Sequence, residues 1–356
     1  MTIPTRLGTR YVISENINML DKLNHIPKNK NRTTDELLEY FQGNNTYDFS
    51  KKFLEQSQHI NWHKIKSILK FFLELKKSRH TERYSNYNAS RFRVLCNQSS
   101  LVLKKIWRKK FLDKKCIKKI KKNELFIYFP LHIEPERSLS IDAPYYTNQL
   151  EVITNIAKSI PINFKVYVKE HPAMSSLHWR SISFYKKILE LPNVELIHPS
   201  IKPKKMYESC SMVVTITGTS GLEAAFYGKP SIILGDVIFN DIPSIKRLKN
   251  IEELSQTIKS TLGKKVDPLT LNNFINHIDA ISFNVDSNAF RTEFSNKYYF
   301  GGMLTDPKIS QEQIKSFLET NEERFNEFAL QHIKKIKAIK EDNDTRKVKK
   351  LRNFSD

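Results

Sequence analysis

The sequence predicts an α/β protein whose middle is a Rossmann-like, doubly wound parallel sheet. Three observations predict it. Apolar runs of strand length recur between residues 124 and 262, helical patterns separate them, and the polar residues suited to chemistry follow the runs. Strand, helix, strand at this spacing calls for parallel strands joined by crossover helices. Right-handed crossovers put every strand's carboxyl end on one edge of the sheet, where ligands of such folds bind.

The elements follow in order. Residues 1–123 are polar and rich in Lys and Asn. Two stretches there, 10–14 and 93–96, read as short strands, and 34–41 and 60–77 read as helices, with Thr34 ahead of Glu36, Leu37 and Leu38 as a helix start. This part shows no regular alternation of strand and helix. Predicted strands then fall at 125–129, 164–168, 194–197, 212–216 and 231–234, and helices at 148–159, 181–191, 204–210, 221–227 and 250–262. A long 3.6-residue pattern over 310–339 uses Ile314, Phe317, Leu318, Phe325, Phe328 and Ala329, and the charged tail 340–356 reads as a frayed end. The predicted division is 1–123, a basic and mostly helical region; 124–300, the sheet domain; and 301–356, a helical extension.

Composition narrows the class. With 356 residues, 39% hydrophobic and 11% aromatic, the chain buries a sizeable core. The net charge of +21 is not spread evenly: residues 1–123 hold 28 basic and 10 acidic side chains, net +18, and residues 124–356 hold 31 and 28, net +3. Three cysteines, Cys96, Cys116 and Cys210, lack metal-ligand or redox spacing, so a disulfide framework is not expected. No stretch approaches the roughly 20 apolar residues of a membrane span. A cytoplasmic protein is predicted, peripheral where it meets a membrane. Glycine is scarce, nine in all, yet Gly218, Gly221, Gly228 and Gly235 share one 18-residue window.

Three polar segments sit at predicted strand ends. His132, Glu134, Glu136, Arg137 and Ser138 follow the first strand; Lys169, Glu170, His171 and Pro172 follow the second; Thr217, Gly218, Thr219, Ser220 and Gly221 follow the fourth and lead into a helix with Glu223. Glycines, hydroxyls and a helix start suit a phosphate, although Gly, Ser and Thr also build plain strand-to-helix turns. The segment is neither a dinucleotide G-x-G-x-x-G fingerprint nor a P-loop. His171 suits phosphate binding or proton transfer, or a turn bonded to backbone. His132 and Glu136 suit acid/base work, Arg137 and Arg180 suit an anion, and a solvated loop is the plainer alternative. His178 and Trp179 read as surface packing. The cationic run 101–123, with 11 basic residues and one acid, reads as an amphipathic helix. It fits a solvated linker, an anionic membrane surface taking Trp107 and Phe111, or nucleic acid, in falling order; no nucleic-acid module accompanies it.

These segments, together with Tyr128-Phe-Pro-Leu-His132, Tyr167-Val-Lys-Glu-His171-Pro, the stretch from Arg180 through Phe184-Tyr185 to Leu191-Pro-Asn-Val, and Thr215-Ile-Thr-Gly-Thr-Ser-Gly-Leu-Glu223 with Gly228-Lys-Pro, resemble bacterial capsule polysaccharide biosynthesis proteins. That family is glycosyltransferase-like and akin to capsule Kdo transferases. The resemblance covers about residues 90–300 and implies a GT-B architecture with a nucleotide-sugar donor, a CMP-activated acidic sugar among the candidates. It implies donor contacts from Lys169, His171, Thr217, Gly218, Thr219, Ser220 and Glu223, with His132 and Glu136 as catalytic candidates near a glycan or glycolipid acceptor. No cofactor and no metal are implied beyond the donor itself. Partners implied are the donor, the acceptor and capsule assembly or export proteins, but not nucleic acid. Relatives carry a longer amino-terminal region, so this chain reads as shortened there. CDP-polyol phosphotransfer and a non-catalytic accessory role are the alternatives.

Overall fold

A computed structural model describes residues 2–5, 7–14, 30–44, 91–134, 136–171, 174, 180–298 and 309–352. The expected helix at 60–77 and the residues Pro172, His178 and Trp179 lie outside the described residues.

The centre is a six-stranded sheet, parallel throughout. Its strands are β3 (Phe126–Pro130), β4 (Lys165–Lys169), β5 (Val194–Ile197), β6 (Met212–Thr215), β7 (Ser231–Ile233) and β8 (Ile245–Arg247), in the order β5-β4-β3-β6-β7-β8. The run Phe-Ile-Tyr-Phe of β3 is buried on both faces, as a strand covered by helices on each side requires. The expected strands are met within one or two residues. The edge strand β8 is additional; its Ile-Lys-Arg has one buried residue and no apolar run to mark it.

Helices cover both faces. They are α4 (Gln149–Ser159), α5 (Ile182–Leu189), α6 (Pro203–Ser209), α7 (Ser220–Phe226) and α8 (Leu254–Thr261), after the one-turn α3 (Arg137–Ser140). Asn148 caps α4 through the Glu151 amide and Ser181 caps α5 through the Phe184 amide, so each helix starts where a side-chain acceptor meets a free N–H. Helix α7 ends at Gly228, whose φ of +69° belongs to a left-handed turn in which Lys229 N–H bonds Ala224 O and Gly228 N–H bonds Ala225 O.

The amino-terminal part differs from the expectation. Residues 10–13 do form a strand, β2 (Arg10–Ile13), paired with β1 (Thr2–Pro4) and with β9 (Phe283–Asn284) in a small antiparallel sheet. The stretch 93–96 is no strand: it lies inside α2 (Arg91–Lys115), a continuous helix. The cationic helix expected over 101–123 stops at Lys115. Beyond it Ile117 lies parallel to Ile197 and borrows two ladder bonds from β5, which covers that sheet edge.

Packing also crosses the expected boundary at residue 124. Ile3, Leu7, Val12, Leu37 and Phe41 share one core with Leu222, Phe226, Phe274 and Ile278. Phe41, on α1 (Thr34–Gly43), stacks on Phe226 at 4.7 Å. Thr33 and Glu36 form the capping box that starts α1. At the far end follow α9 (Pro268–Ile281), α10 (Ser287–Tyr298), α11 (Gln311–Thr320) and α12 (Glu322–Arg352). The long pattern over 310–339 is two helices, broken where Asn321 caps α11. No helix among the described residues is long and apolar enough to cross a membrane.

Candidate functional site

Counted from β3, the sheet runs 3-2-1-4-5-6, and the winding reverses between β3 and β6. At such a reversal the loops leaving two adjacent strands turn to opposite faces and open a crevice at their carboxyl ends. The three polar segments leave β3, β4 and β6, so all three stand at this edge.

The segment after β3 is clamped. The His132 amide donates to Gln149 Oε1 at 2.8 Å, and its carbonyl accepts from Gln149 Nε2 at 3.2 Å and from Arg180 Nη2 at 2.7 Å. Gln149 is the first residue of α4 and is buried, so helix and loop are locked together. The ring, 6% exposed, reaches across the crevice: its Nε2 accepts the Thr217 N–H at 3.2 Å. An accepting Nε2 is unprotonated, which makes this imidazole neutral with its proton on Nδ1. Glu134 accepts from Gln149 and lies 3.9 Å from Arg180. Glu136 uses its carbonyl to start α3 through the Leu139 and Ser140 amides; among the described residues its carboxylate has no hydrogen-bond or ion-pair partner. Arg137 opens α3, and its side chain lies outside the described residues.

The segment after β4 buries charge. Lys169, the last residue of β4, is 2% exposed, and burial pulls its ammonium down to about 8, against the pull of Glu170 and Glu223. Among the described residues that ammonium has no hydrogen-bond or ion-pair partner. Glu170 accepts the His171 N–H at 2.7 Å and the Tyr185 hydroxyl, with Arg180 Nε 3.5 Å away. Burial raises its carboxyl, opposed mainly by Arg180. Burial, with Lys169 and Arg180 adding repulsion, pushes His171 down to about 4, so it is neutral at physiological pH. Arg180 packs over the Phe184 ring at 4.6 Å and ties the β3 and β4 loops together. It is an internal cation in this arrangement.

The segment after β6 is neutral and tight. The Gly218 N–H donates to Thr215 Oγ1 at 3.2 Å. A Cβ on Gly218 would stand 2.5 Å from Thr215 Oγ1, 3.0 Å from Ser220 Oγ and 3.3 Å from His132 Nε2, so only glycine leaves this space open. Thr217 Oγ1 and Ser220 Oγ are buried and have no hydrogen-bond partner among the described residues. Buried hydroxyls are normally satisfied, so a pair left open beside a cradle is available to a ligand, although Ser244, Thr261 and Ser282 also keep open hydroxyls elsewhere among the described residues. Thr219 donates to Glu223 Oε1 at 2.7 Å, and Tyr207 donates to Glu223 Oε2 at 2.8 Å. Burial raises the Glu223 carboxyl, and its two acceptor oxygens are taken up holding the turn.

The structure thus brings together His132, Lys169, His171, Thr217, Gly218, Ser220 and, behind them, Glu223 and Arg180. Sequence reading assigned no role to Gln149, Glu170, Tyr185 or Tyr207, which hold these groups in place. The one available signal was the acid in Lys-Glu-His-Pro, directly after a strand with no polar face. Cys116 and Cys210 are buried, and burial raises both thiols to about 12. Among the described residues no group of three or more His, Cys, Asp or Glu is arranged to hold a metal ion.

A family model described as capsule polysaccharide biosynthesis protein matches residues 52–260. No curated protein sequence matches the chain. Among solved structures it is similar to the β-Kdo 2,7 transferase of Thermosulfurimonas dismutans KpsC, at 15% identity, 60% coverage of each chain and a TM-score of 0.35. It is also similar to the UDP-GlcNAc 2-epimerase of Methanocaldococcus jannaschii, at 15% identity, 47% coverage of each chain and a TM-score of 0.32. A third is the β-Kdo 2,4 transferase of the same KpsC, at 13% identity, 57% of this chain and 70% of that one, with a TM-score of 0.31. The chain spans less than two thirds of the length of the first two. At these scores the fold rests on the strand order given above.

Proposed function

The chain belongs to the capsule polysaccharide biosynthesis protein family, and on that premise we propose that it is a glycosyltransferase which takes a nucleotide-activated sugar at the β3/β6 crevice. One observation carries this reading: two buried hydroxyls with no partner among the described residues, Thr217 Oγ1 and Ser220 Oγ, flank a glycine that has no room for a Cβ, at the reversal of a parallel sheet. Donor phosphate accepts from these hydroxyls. The Lys169 ammonium supplies charge from the next strand end, and the neutral His171 adds a hydrogen bond. A cation here suits an acidic donor, a CMP-activated acidic sugar above all. His132 positions the turn through the Thr217 amide, and Glu136, four residues on in the same loop, is the candidate base for the acceptor hydroxyl's proton. Transfer breaks the bond from anomeric carbon to phosphate oxygen and forms one to the acceptor oxygen, with the nucleotide leaving on the Thr217–Ser220 side.

Calorimetry with CMP, CDP and UDP tests the site, with His171→Ala and Gly218→Ala as variants. CMP binding that falls at least tenfold in both variants, while each still unfolds cooperatively, supports it; variants that bind as the parent does would overturn it. Product analysis with CMP-sugar against CDP-polyol donors then separates sugar transfer from polyol-phosphate transfer. Tight nucleotide binding with no transfer to any glycan acceptor would mark a binding protein.

A further inference from the structure

We infer that the outer face of α2 is a docking surface for an anionic lipid bilayer. The helix has two opposed sides. Its inner side is fixed to the sheet domain: Leu112 is buried in the main core with Cys116 just past the helix end, Phe111 packs near the Tyr185 ring at 6.4 Å, and Arg108 is buried with its Nη1 on the Met174 carbonyl at 3.0 Å. Phe111 therefore faces the protein, which corrects its expected place on a membrane face.

The outer side is apolar and open. Leu103, Ile106 and Trp107 are 53%, 45% and 62% exposed, and their i, i+3, i+4 spacing puts them on one stripe, opposite Arg108 and Leu112. Lys110 and Lys114, seven and eleven residues after Leu103, continue that stripe, while Lys104, Lys109 and Lys115 stand roughly 100–120° round the helix from it and Lys105 on the far side; all six are exposed. Lys118, Lys119 and Lys122 add exposed charge past the helix, while Lys121 is paired with Glu195 at 3.0 Å. The sole acid of the run, Asp113, lies 2.9 Å from His198 Nε2.

Lys110 and Lys114 put charge on the apolar face itself, and this selects the occupant. A nucleic acid would meet the lysines and leave Leu103 and Ile106 in water. An anionic bilayer takes both: the apolar triplet enters the headgroup boundary, tryptophan suits that depth, and the lysines reach lipid phosphates on flexible stems. The exposed lysines of α2 are then a membrane-directed charge.

The test is co-sedimentation of the full chain with vesicles of phosphatidylcholine alone and of equal parts phosphatidylcholine and phosphatidylglycerol. Binding at least tenfold stronger to the anionic vesicles, weakened by salt, is expected. Leu103→Ser, Ile106→Ser and Trp107→Ser combined should lower it tenfold or more, and each of Lys104→Gln, Lys110→Gln and Lys114→Gln should lower it about fivefold. These positions are exposed, so circular dichroism should show unchanged unfolding. Equal binding to both vesicles, no binding, or undiminished binding by the serine variant overturns the inference. Duplex DNA binding parent and serine variant alike, with no vesicle binding, would assign the face to nucleic acid instead.

Discussion

The loops after β4 and β6 face the same crevice but are built in opposite ways. The β4 loop concentrates charge: Lys169, Glu170 and His171 lie beside Arg180, and the carboxylate of Glu170 is spoken for by Arg180, Tyr185 and the His171 amide. The β6 loop holds no charge among residues 215–221. It is shaped by what fits around Gly218, and two of its hydroxyls stay open. Buried charges that satisfy each other fix geometry, since losing one partner strands the other. Buried hydroxyls that satisfy nothing add little to stability and are free to meet a ligand. Stability should therefore reside chiefly in the Glu170, Arg180 and Tyr185 set of the first loop, and the second loop should serve binding with little part in stability.

The hardest test of that contrast is Glu170→Ala. It leaves Arg180 buried beside a lost carboxylate and removes the acceptor of the Tyr185 hydroxyl and the His171 amide. The expected loss is about 3–5 kcal/mol of unfolding free energy, read by urea denaturation. A loss under about 1 kcal/mol, within the range of an exposed ion pair, would mean the β4 loop is not the frame described here.

Lys169 sharpens the contrast because it belongs to both loops' business. Its pKa is about 8 in the folded chain against 10.5 as its ordinary value. Between those values the unfolded chain binds more protons, so stability rises with pH across that window. At neutral pH both states are charged and the burial cost is fully present. Lys169→Met keeps the length and removes the charge. It should raise stability by about 1–3 kcal/mol at pH 7 and flatten the slope between pH 8 and 10.5, while nucleotide affinity falls. Urea denaturation across that pH range, paired with calorimetry, reads both effects. A variant that is less stable and binds as before would make Lys169 a structural cation.

What could be read from the residues alone follows the same division. The five strands with apolar runs were legible because burial on both faces leaves no other composition for them, as in Phe126–Pro130. The helices beginning at Asn148 and Ser181 were legible from their helical pattern, and both residues cap them. Strand β8 was not, since an edge strand with one buried residue carries no period. The stretch 93–96 looked like a strand only because four residues are too few to show a helical repeat. At the site, the motif Lys-Glu-His-Pro and the Gly-Thr-Ser turn stood out locally, but the partners of Glu170 did not: Arg180 and Tyr185 lie ten and fifteen residues on, and only the fold brings them back. Gln149 looked like one more polar residue at a helix start, although it clamps both backbone groups of His132. The place of α1 on α7 depends on contacts more than 170 residues apart in sequence, such as Phe41 on Phe226.

The smallest effect is the most discriminating. Ser220 is buried, its Oγ has no partner among the described residues, and it sits 3.0 Å from where a Cβ on Gly218 would be. Removing a satisfied buried hydroxyl costs about 1 kcal/mol, whereas removing an unsatisfied one costs nothing or stabilises slightly. Ser220→Ala should therefore leave thermal unfolding unchanged or shifted upward, and lower nucleotide affinity about tenfold, the worth of one hydrogen bond to a charged phosphate. The two readouts separate cleanly, because an alanine adds no atom to the crevice and disturbs no charge of the β4 loop. Unfolding at lower temperature with unchanged calorimetry would mean that the hydroxyl serves the turn; unchanged unfolding with weakened binding would mean that the β6 loop is held open for the donor.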